Sequence, residues 1–370
     1  TLAFTLASLA AMVVDMGGGT LLARKFVVTR LQESDDQEIN EYLGALGTSR
    51  FAVWAVLMGV TLVYAFVTQD PLAWFLLPAA GSLSFWCLNL SGILDGMRLS
   101  GFSGATAGLP HIFSAVALLL VVDLPLEKVL LVTGIAYGAG TAVSVFSQLF
   151  WARRAGFHFR ATAPRPAALK SVILESLRFQ YCLLPGHVAY RAQFALAEAL
   201  LPVNVAALFI YGKQAASALL QLVAFMRRIS FPSLVQHYSE RSDKVSLWEI
   251  FRIQRSAIAL TLLFMLAVLA ARFVQHLLNW SWSEEITYAI LITSPTFLSA
   301  SLFGLLSQCL QAQGRFVTLG TATVVAACVS VLGALVLNDR LGIGAFIWAE
   351  VAGHLLWLLP LWKLSNSRRG

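Results

Sequence analysis

Charge is what this chain has least of. Of its 370 residues, 12% are Asp, Glu, Lys or Arg and 58% are hydrophobic, about half the charge of an ordinary soluble domain. The mean hydropathy is +0.75. No soluble core needs that much apolar residue spread along a whole chain, so lipid must cover the excess. Acidic residues are scarcer than basic ones, 19 against 26, which leaves a net charge of +7. The basic residues lie in short segments between apolar runs rather than on a soluble domain, which excludes a nucleic-acid footprint and fits the distribution of membrane loops. Cysteine is nearly absent. Cys87, Cys182, Cys309 and Cys328 all sit in apolar runs without metal-ligand spacing, so they read as small core or lipid-facing residues, and no metal or cofactor is expected. There is no phosphate-binding loop, no Gly-x-Ser-x-Gly, no His-Glu-x-x-His and no paired-Asp loop. Those gaps exclude a built-in ATPase, and with the very short outer loops they argue against any enzyme.

The apolar residues fall into eleven runs of spanning length, roughly 2–23, 51–69, 71–94, 104–123, 129–151, 172–200, 203–226, 256–278, 285–310, 316–337 and 342–362. Each is close to the 20 or so residues that a transmembrane helix needs. One set of intervening segments, 24–50, 95–103, 152–171, 227–255, 311–315 and 363–370, holds 20 of the 26 Lys and Arg residues, among them Arg153, Arg154, Arg227, Arg228, Arg368 and Arg369. That set is therefore read as cytoplasmic, with the C-terminus inside. Trp74, Trp280, Trp282, Trp357 and Trp362 lie near the expected interfaces as belt anchors. Thr1 already opens an apolar run, with no charged segment before it. Eleven spans then put residue 1 outside, and one further span before it would restore an inside start.

The two halves repeat one another. Leu94-Asp95-Gly96-Met97-Arg98 and Gln311-Ala312-Gln313-Gly314-Arg315 end spans about 217 residues apart. Arg50-Phe51-Ala52-Val53 and Arg255-Ser256-Ala257-Ile258 open spans about 205 apart, and Trp151 and Trp362 precede basic ends. The order is the same in both halves and so is the orientation, which predicts parallel repeats about an axis along the membrane normal. The expected fold is an all-α polytopic membrane protein of two parallel six-helix bundles, residues 1–160 and 161–370. Its first span is missing, and a cleft runs between the halves.

Polar residues inside the runs are the functional pointers, because a charge at the bilayer centre costs about 2.5–3.5 kcal/mol even on lenient scales. Gln180, His187, Arg191 and Glu198 lie within about 40° of one line on a helix, interrupted by Pro185-Gly186, and read as the wall of a wet cleft. The next run carries Gln214 and Gln221 on one side with Lys213 beside them. Lys213 reads equally as cleft-lining or as the partner of a buried carboxylate. Asp15, before Gly17-Gly18-Gly19, reads equally as a group that carries a proton or pairs with a cation and as a packing carboxylate. Glu350 and His354, one turn apart, read as a proton relay or as a buried pair without a transport role. His111, beside Pro110, reads as structural.

The landmarks Asp15-Met16-Gly17, Leu21-Leu22-Ala23-Arg24, Phe231-Pro232-Ser233-Leu234, Gln311-Ala312-Gln313-Gly314-Arg315 and Leu341-Gly342-Ile343-Gly344-Ala345 resemble the polysaccharide flippases of the multidrug/oligosaccharidyl-lipid/polysaccharide exporter superfamily. The resemblance implies a flippase in a bacterial inner membrane. It would move an undecaprenyl-pyrophosphate-linked oligosaccharide from the cytoplasmic to the periplasmic leaflet for O-antigen, capsule or exopolysaccharide assembly. A proton or sodium gradient would drive it, alongside other polysaccharide-assembly proteins. Arg191 and Arg24 resemble positions where family members are basic. On that reading Arg191, His187, Arg24 and Lys213 meet the pyrophosphate, Gln180, Gln214 and Gln221 meet sugar hydroxyls, and Asp15, Glu198, Glu350 and His354 handle the coupling ion. The alternatives are a cation-coupled drug or metabolite exporter of the same superfamily, a lipid II flippase, which usually has two further spans, and a membrane-embedded glycan polymerase or ligase.

Overall fold

The computed structural model describes residues 2–33, 36–160, 162–240, 246–278 and 284–365. Trp280, Trp282, Arg368 and Arg369 lie outside the described residues. The described residues form fourteen helices and no strand. The first seven are α1 (Leu2–Asp15), α2 (Gly18–Leu31), α3 (Asp36–Thr68), α4 (Ala73–Trp86), α5 (Ser91–Gly96), α6 (Ser100–Val121) and α7 (Leu126–Arg154). The others are α8 (Pro166–Leu200), α9 (Val203–Glu240), α10 (Leu247–Ile253), α11 (Arg255–Leu278), α12 (Glu284–Gln313), α13 (Phe316–Leu341) and α14 (Ile343–Ser365).

A helix lies over each of the eleven apolar runs. By length and composition eight stretches are long and apolar enough to cross a bilayer, α1 and α2 counting together; α4 and the described apolar part of α14 are shorter. The molecule is an all-α polytopic membrane protein. Three segments read as cytoplasmic loops are substantially helical instead. Residues 24–50 belong largely to α2 and α3, 227–255 largely to α9 and α10, and α8 begins at Pro166 within 152–171. Helices do not have to end where the hydrocarbon ends: once in water, polar residues continue the same backbone hydrogen bonding. At 33 and 38 residues, α3 and α9 are about 50 and 57 Å long, well beyond a hydrocarbon core of about 30 Å.

The chain divides into two compact units, Thr1–Gln180 and Tyr181–Gly370, and the division falls inside α8. In the first unit α6 packs on α7, α7 on α4, α4 on α3 and α1, and α5 on α2. In the second, α13 packs on α14, α14 on α12, and α12 on α11 and α9. The two patterns superimpose if α1 with α2 matches α9, α3 matches α11, α4 with α5 matches α12, α6 matches α13 and α7 matches α14. Details repeat as well. The α6–α7 contact closes on Gly140, where a Cβ would stand 2.7 Å from Leu109 O, and the α13–α14 contact closes on Gly353, 2.6 Å from Ala326 O. Small residues at such points let helix backbones touch without lipid between them. The sequence landmarks at 94–98 and 311–315 end their helices alike. Arg98 (φ 63°) and Gly314 (φ 75°) take the left-handed conformation, and the next amide reaches back five residues, Leu99 N to Leu94 O and Arg315 N to Leu310 O, as in a Schellman cap.

The units differ in continuity. The run at 2–23 breaks between α1 and α2, where Met16 and Gly17 have φ of 52° and 75°. The run at 71–94 breaks between α4 and α5. The matching α9 and α12 are unbroken despite Pro232 and Pro295.

Candidate functional site

Backbone freed by a helix break at membrane depth must find partners within the protein. In the first unit the two breaks share one set of partners. Arg50 of α3 is 1% exposed and reaches both. Its Nη2 donates to Asp15 Oδ1 at 2.7 Å, its Nε to the Asp15 carbonyl at 3.1 Å and its Nη1 to the Asn89 carbonyl at 3.0 Å. Asn89 Nδ2 donates to the same Asp15 Oδ1 at 3.0 Å, and Gly19 N donates to Asp15 Oδ2 at 3.3 Å. Asn89 Oδ1 then accepts from Ser91 N at the start of α5, while Gln148 of α7 accepts from Leu90 N. A Cβ on Gly18 would overlap the Arg50 guanidinium, so the glycine there makes room for the arginine. Asp15 is thus a member of a packed network in which both carboxylate oxygens are engaged.

Elsewhere in the first unit, Arg24 Nη1 lies 3.4 Å from Glu175 Oε1, and Tyr42 donates to Glu175 Oε2 at 3.0 Å. Gln180 is buried and donates to the Met12 carbonyl at 3.0 Å.

The second unit gathers its polar residues around Lys213 of α9. Its ammonium, 4% exposed, forms an ion pair with Glu350 Oε2 of α14. It also donates to Gln193 Oε1 of α8 at 2.5 Å. Gln193 Nε2 in turn donates to Ser330 Oγ of α13. The Tyr190 and Phe209 rings flank the ammonium, with centroids 5.7 and 5.8 Å from Nζ, within cation–π range. Next to Lys213, a Cβ on Gly212 would overlap the Ala289 carbonyl, so α9 lies hard against α12. Of the two readings of Lys213, the structure has the paired one. His354 sits one turn beyond Glu350, but its Nδ1 is 3.0 Å from Ser299 Oγ of α12, so the two side chains have different partners.

The expected stripe on α8 divides. His187, Arg191 and Glu198 are exposed along one side of the helix. Arg191 lies 5.8 Å over the ring of its neighbour Tyr190. Gln180, two turns before His187 in the middle of α8, is buried. Gln214 and Gln221 are exposed on α9. Among the described residues no group of three or more His, Cys, Asp or Glu is placed to hold a metal.

Sequence reasoning missed Arg50, Asn89, Gln193 and Ser330. Arg50 had been assigned to an inner loop. Its signal was a helical period running unbroken from Ile39 through Leu43 and Leu46 into the apolar run. Gln193 lies about 200° around α8 from Arg191, so attention to the charged stripe hid the opposite face.

The sequence matches no family model and no curated protein. The fold has close likenesses among solved structures. An outward-facing multidrug resistance transporter of the MATE family, MOP superfamily, aligns with a TM-score of 0.77 at 14% identity over 98% of this chain and 85% of its own. A MOP superfamily transporter from Pyrococcus furiosus, whose reverse polarity of binding pocket suggests a different function, aligns at 0.70 and 13% over 98% and 86%. The MATE transporter ClbM in complex with Rb+ aligns at 0.61 and 16% over 99% and 85%. The chain therefore has the MATE fold.

Proposed function

We propose that this chain is an ion-coupled exporter that works by alternating access and carries an amphiphilic organic solute, a drug or metabolite, out of the cytoplasm. One observation carries the reading: nearly the whole chain shares its fold with a multidrug resistance transporter. The Lys213–Glu350 pair within apolar helices of that fold supports it, since intramembrane charges are costly and mark ion or substrate pathways. The basic inner segments favour a bacterial cytoplasmic membrane with the C-terminus inside. In proteoliposomes, a proton or sodium gradient should drive accumulation of an amphiphilic dye, and an ionophore should abolish it. Failure of a panel of organic cations and anions to move under either gradient would reject the proposal.

A second reading, flipping of a lipid-linked oligosaccharide, draws on a different observation. His187 and Arg191 are exposed together on α8, and a basic pair suits a pyrophosphate better than an organic cation. Arg24 and Lys213 already have carboxylate partners, so Arg191 carries this reading, with Gln214 and Gln221 for sugar hydroxyls and Glu198 as an ion carrier. On it, Arg191→Ala abolishes surface polysaccharide while the protein stays inserted, and Arg191→Lys restores part of the output. Full output from the alanine variant would leave the exporter reading alone.

A further inference from the structure

The shell around Lys213 Nζ has an unusual composition for an ion pair. It contains a carboxylate oxygen from α14, an amide oxygen from α8 and two aromatic faces, Tyr190 and Phe209. The Gln193 amide is turned so that its oxygen faces the ammonium, because its nitrogen is held by Ser330. Oxygens from several helices plus π faces are what a partly dehydrated monovalent cation would need. Two helices of one unit, α8 and α14, thus enclose a charge that α9 supplies on a tether, with α13 holding the Gln193 amide from behind.

We propose that this is a monovalent-cation pocket whose cation is built in: the Lys213 ammonium occupies the place of a free potassium-sized ion. The inference about coupling rests on the exporter reading; the pocket itself does not. With the pocket filled, the site takes no free alkali cation, and the exchangeable ion left to it is a proton on Glu350. The carboxylate accepts one proton from water on one side of the membrane and releases the same proton on the other. Lys213 then alternates between a paired and an unpaired state. Among the described residues, the groups facing the pair are Tyr190 and Gln193 from α8, Phe209 from α9 and His354 beside Glu350 on α14; Ser330 of α13 holds Gln193 and Ser299 of α12 holds His354. Arg191 and His187 are exposed on α8.

The test is binding of radioactive Rb+ to the full chain purified in detergent, with no transport substrate present. The wild type should show no saturable binding. Lys213→Ala should gain saturable binding that K+ competes away, and Lys213→Ala with Glu350→Gln should lose it again. Saturable binding by the wild type that disappears in Glu350→Gln would overturn the proposal, as would a monodisperse Lys213→Ala that binds none. Parallel purification of Lys213→Ala in rubidium chloride and in choline chloride covers the case of poor folding. Recovery in rubidium alone supports the pocket, and failure in both salts counts against it. Loss of dye transport with Rb+ binding as predicted would bear on the exporter reading only.

Discussion

The two units pack their helices in the same pattern yet tie their buried charges in different ways. In the first, the Arg50 guanidinium holds two main-chain carbonyls, at Asp15 and Asn89, as well as the Asp15 carboxylate. Its partners exist because α1–α2 and α4–α5 are broken there. In the second, Lys213 touches only side chains, on helices that run through. A charge fastened to backbone holds the fold. A charge held by side chains alone can change partners by rotating a few torsions, with every helical hydrogen bond intact. On the exporter reading, the second arrangement is the one suited to a cycle. The contrast continues just before α11, where Gln254, next to Arg255 (the repeat counterpart of Arg50), donates its amide to the Leu305 carbonyl. There a neutral group does a lighter version of the same task, since no broken helix needs serving.

The largest expected effect tests the first arrangement. Arg50→Ala should cost about 3–5 kcal/mol, because it leaves a carboxylate and two carbonyls without their donor. It should appear as loss of monodisperse protein or a large fall in Tm. Arg50→Lys should recover only part, since an ammonium lacks the planar fork. Gly18→Ala should cost about 1–3 kcal/mol through overpacking. The guanidinium in its way is pinned by three hydrogen bonds and cannot give; a Tm equal to wild type would show that the pin is loose. Removing both members of the second pair, Lys213→Met with Glu350→Met, should stay within about 1 kcal/mol of wild type while transport is lost. Asp15→Leu with Arg50→Met should not recover in the same way, because the carbonyls remain unserved. Equal Tm values for the two double variants would erase the distinction between the units.

The smallest effect lies outside the spans. The Leu72 amide, and then the Tyr64 hydroxyl, hold the exposed Asp70 carboxyl below its usual range. A depressed folded value means that its contribution is present above about pH 4 and fades as pH falls through the lowered value. The protection factor of the Leu72 amide should fall in Asp70→Asn at neutral pH, and in the wild type only as pH drops below the usual carboxylate range.

The apolar helices, the all-helical architecture and the repeated helix pattern were legible in the sequence, because hydropathy acts locally and at fixed length. So was the alternative that Lys213 has a buried carboxylate partner: a mid-span ammonium has few other fates. The identity of that partner was not legible. Glu350 is 137 residues away, and pairing it with His354 was the local reading. Asp15 and Arg50 were both visible, but Arg50 had been placed at a water interface, where a basic residue needs no partner. The helix breaks were hidden for a related reason. Residues 16–17 and 87–90 sit inside apolar runs, and composition cannot distinguish a continuous helix from two collinear halves once side chains satisfy the gap.

The extra length of α3 and α9 has its own consequence. A helix that continues beyond the hydrocarbon carries its basic side chains on a stiff rod instead of a slack tether. Arg227 and Arg228 of α9 therefore stand at a fixed height on the rod. The Arg227 guanidinium fills the space that a Cβ on Gly304 of α12 would need, so any tilt of α9 must carry that charge against α12.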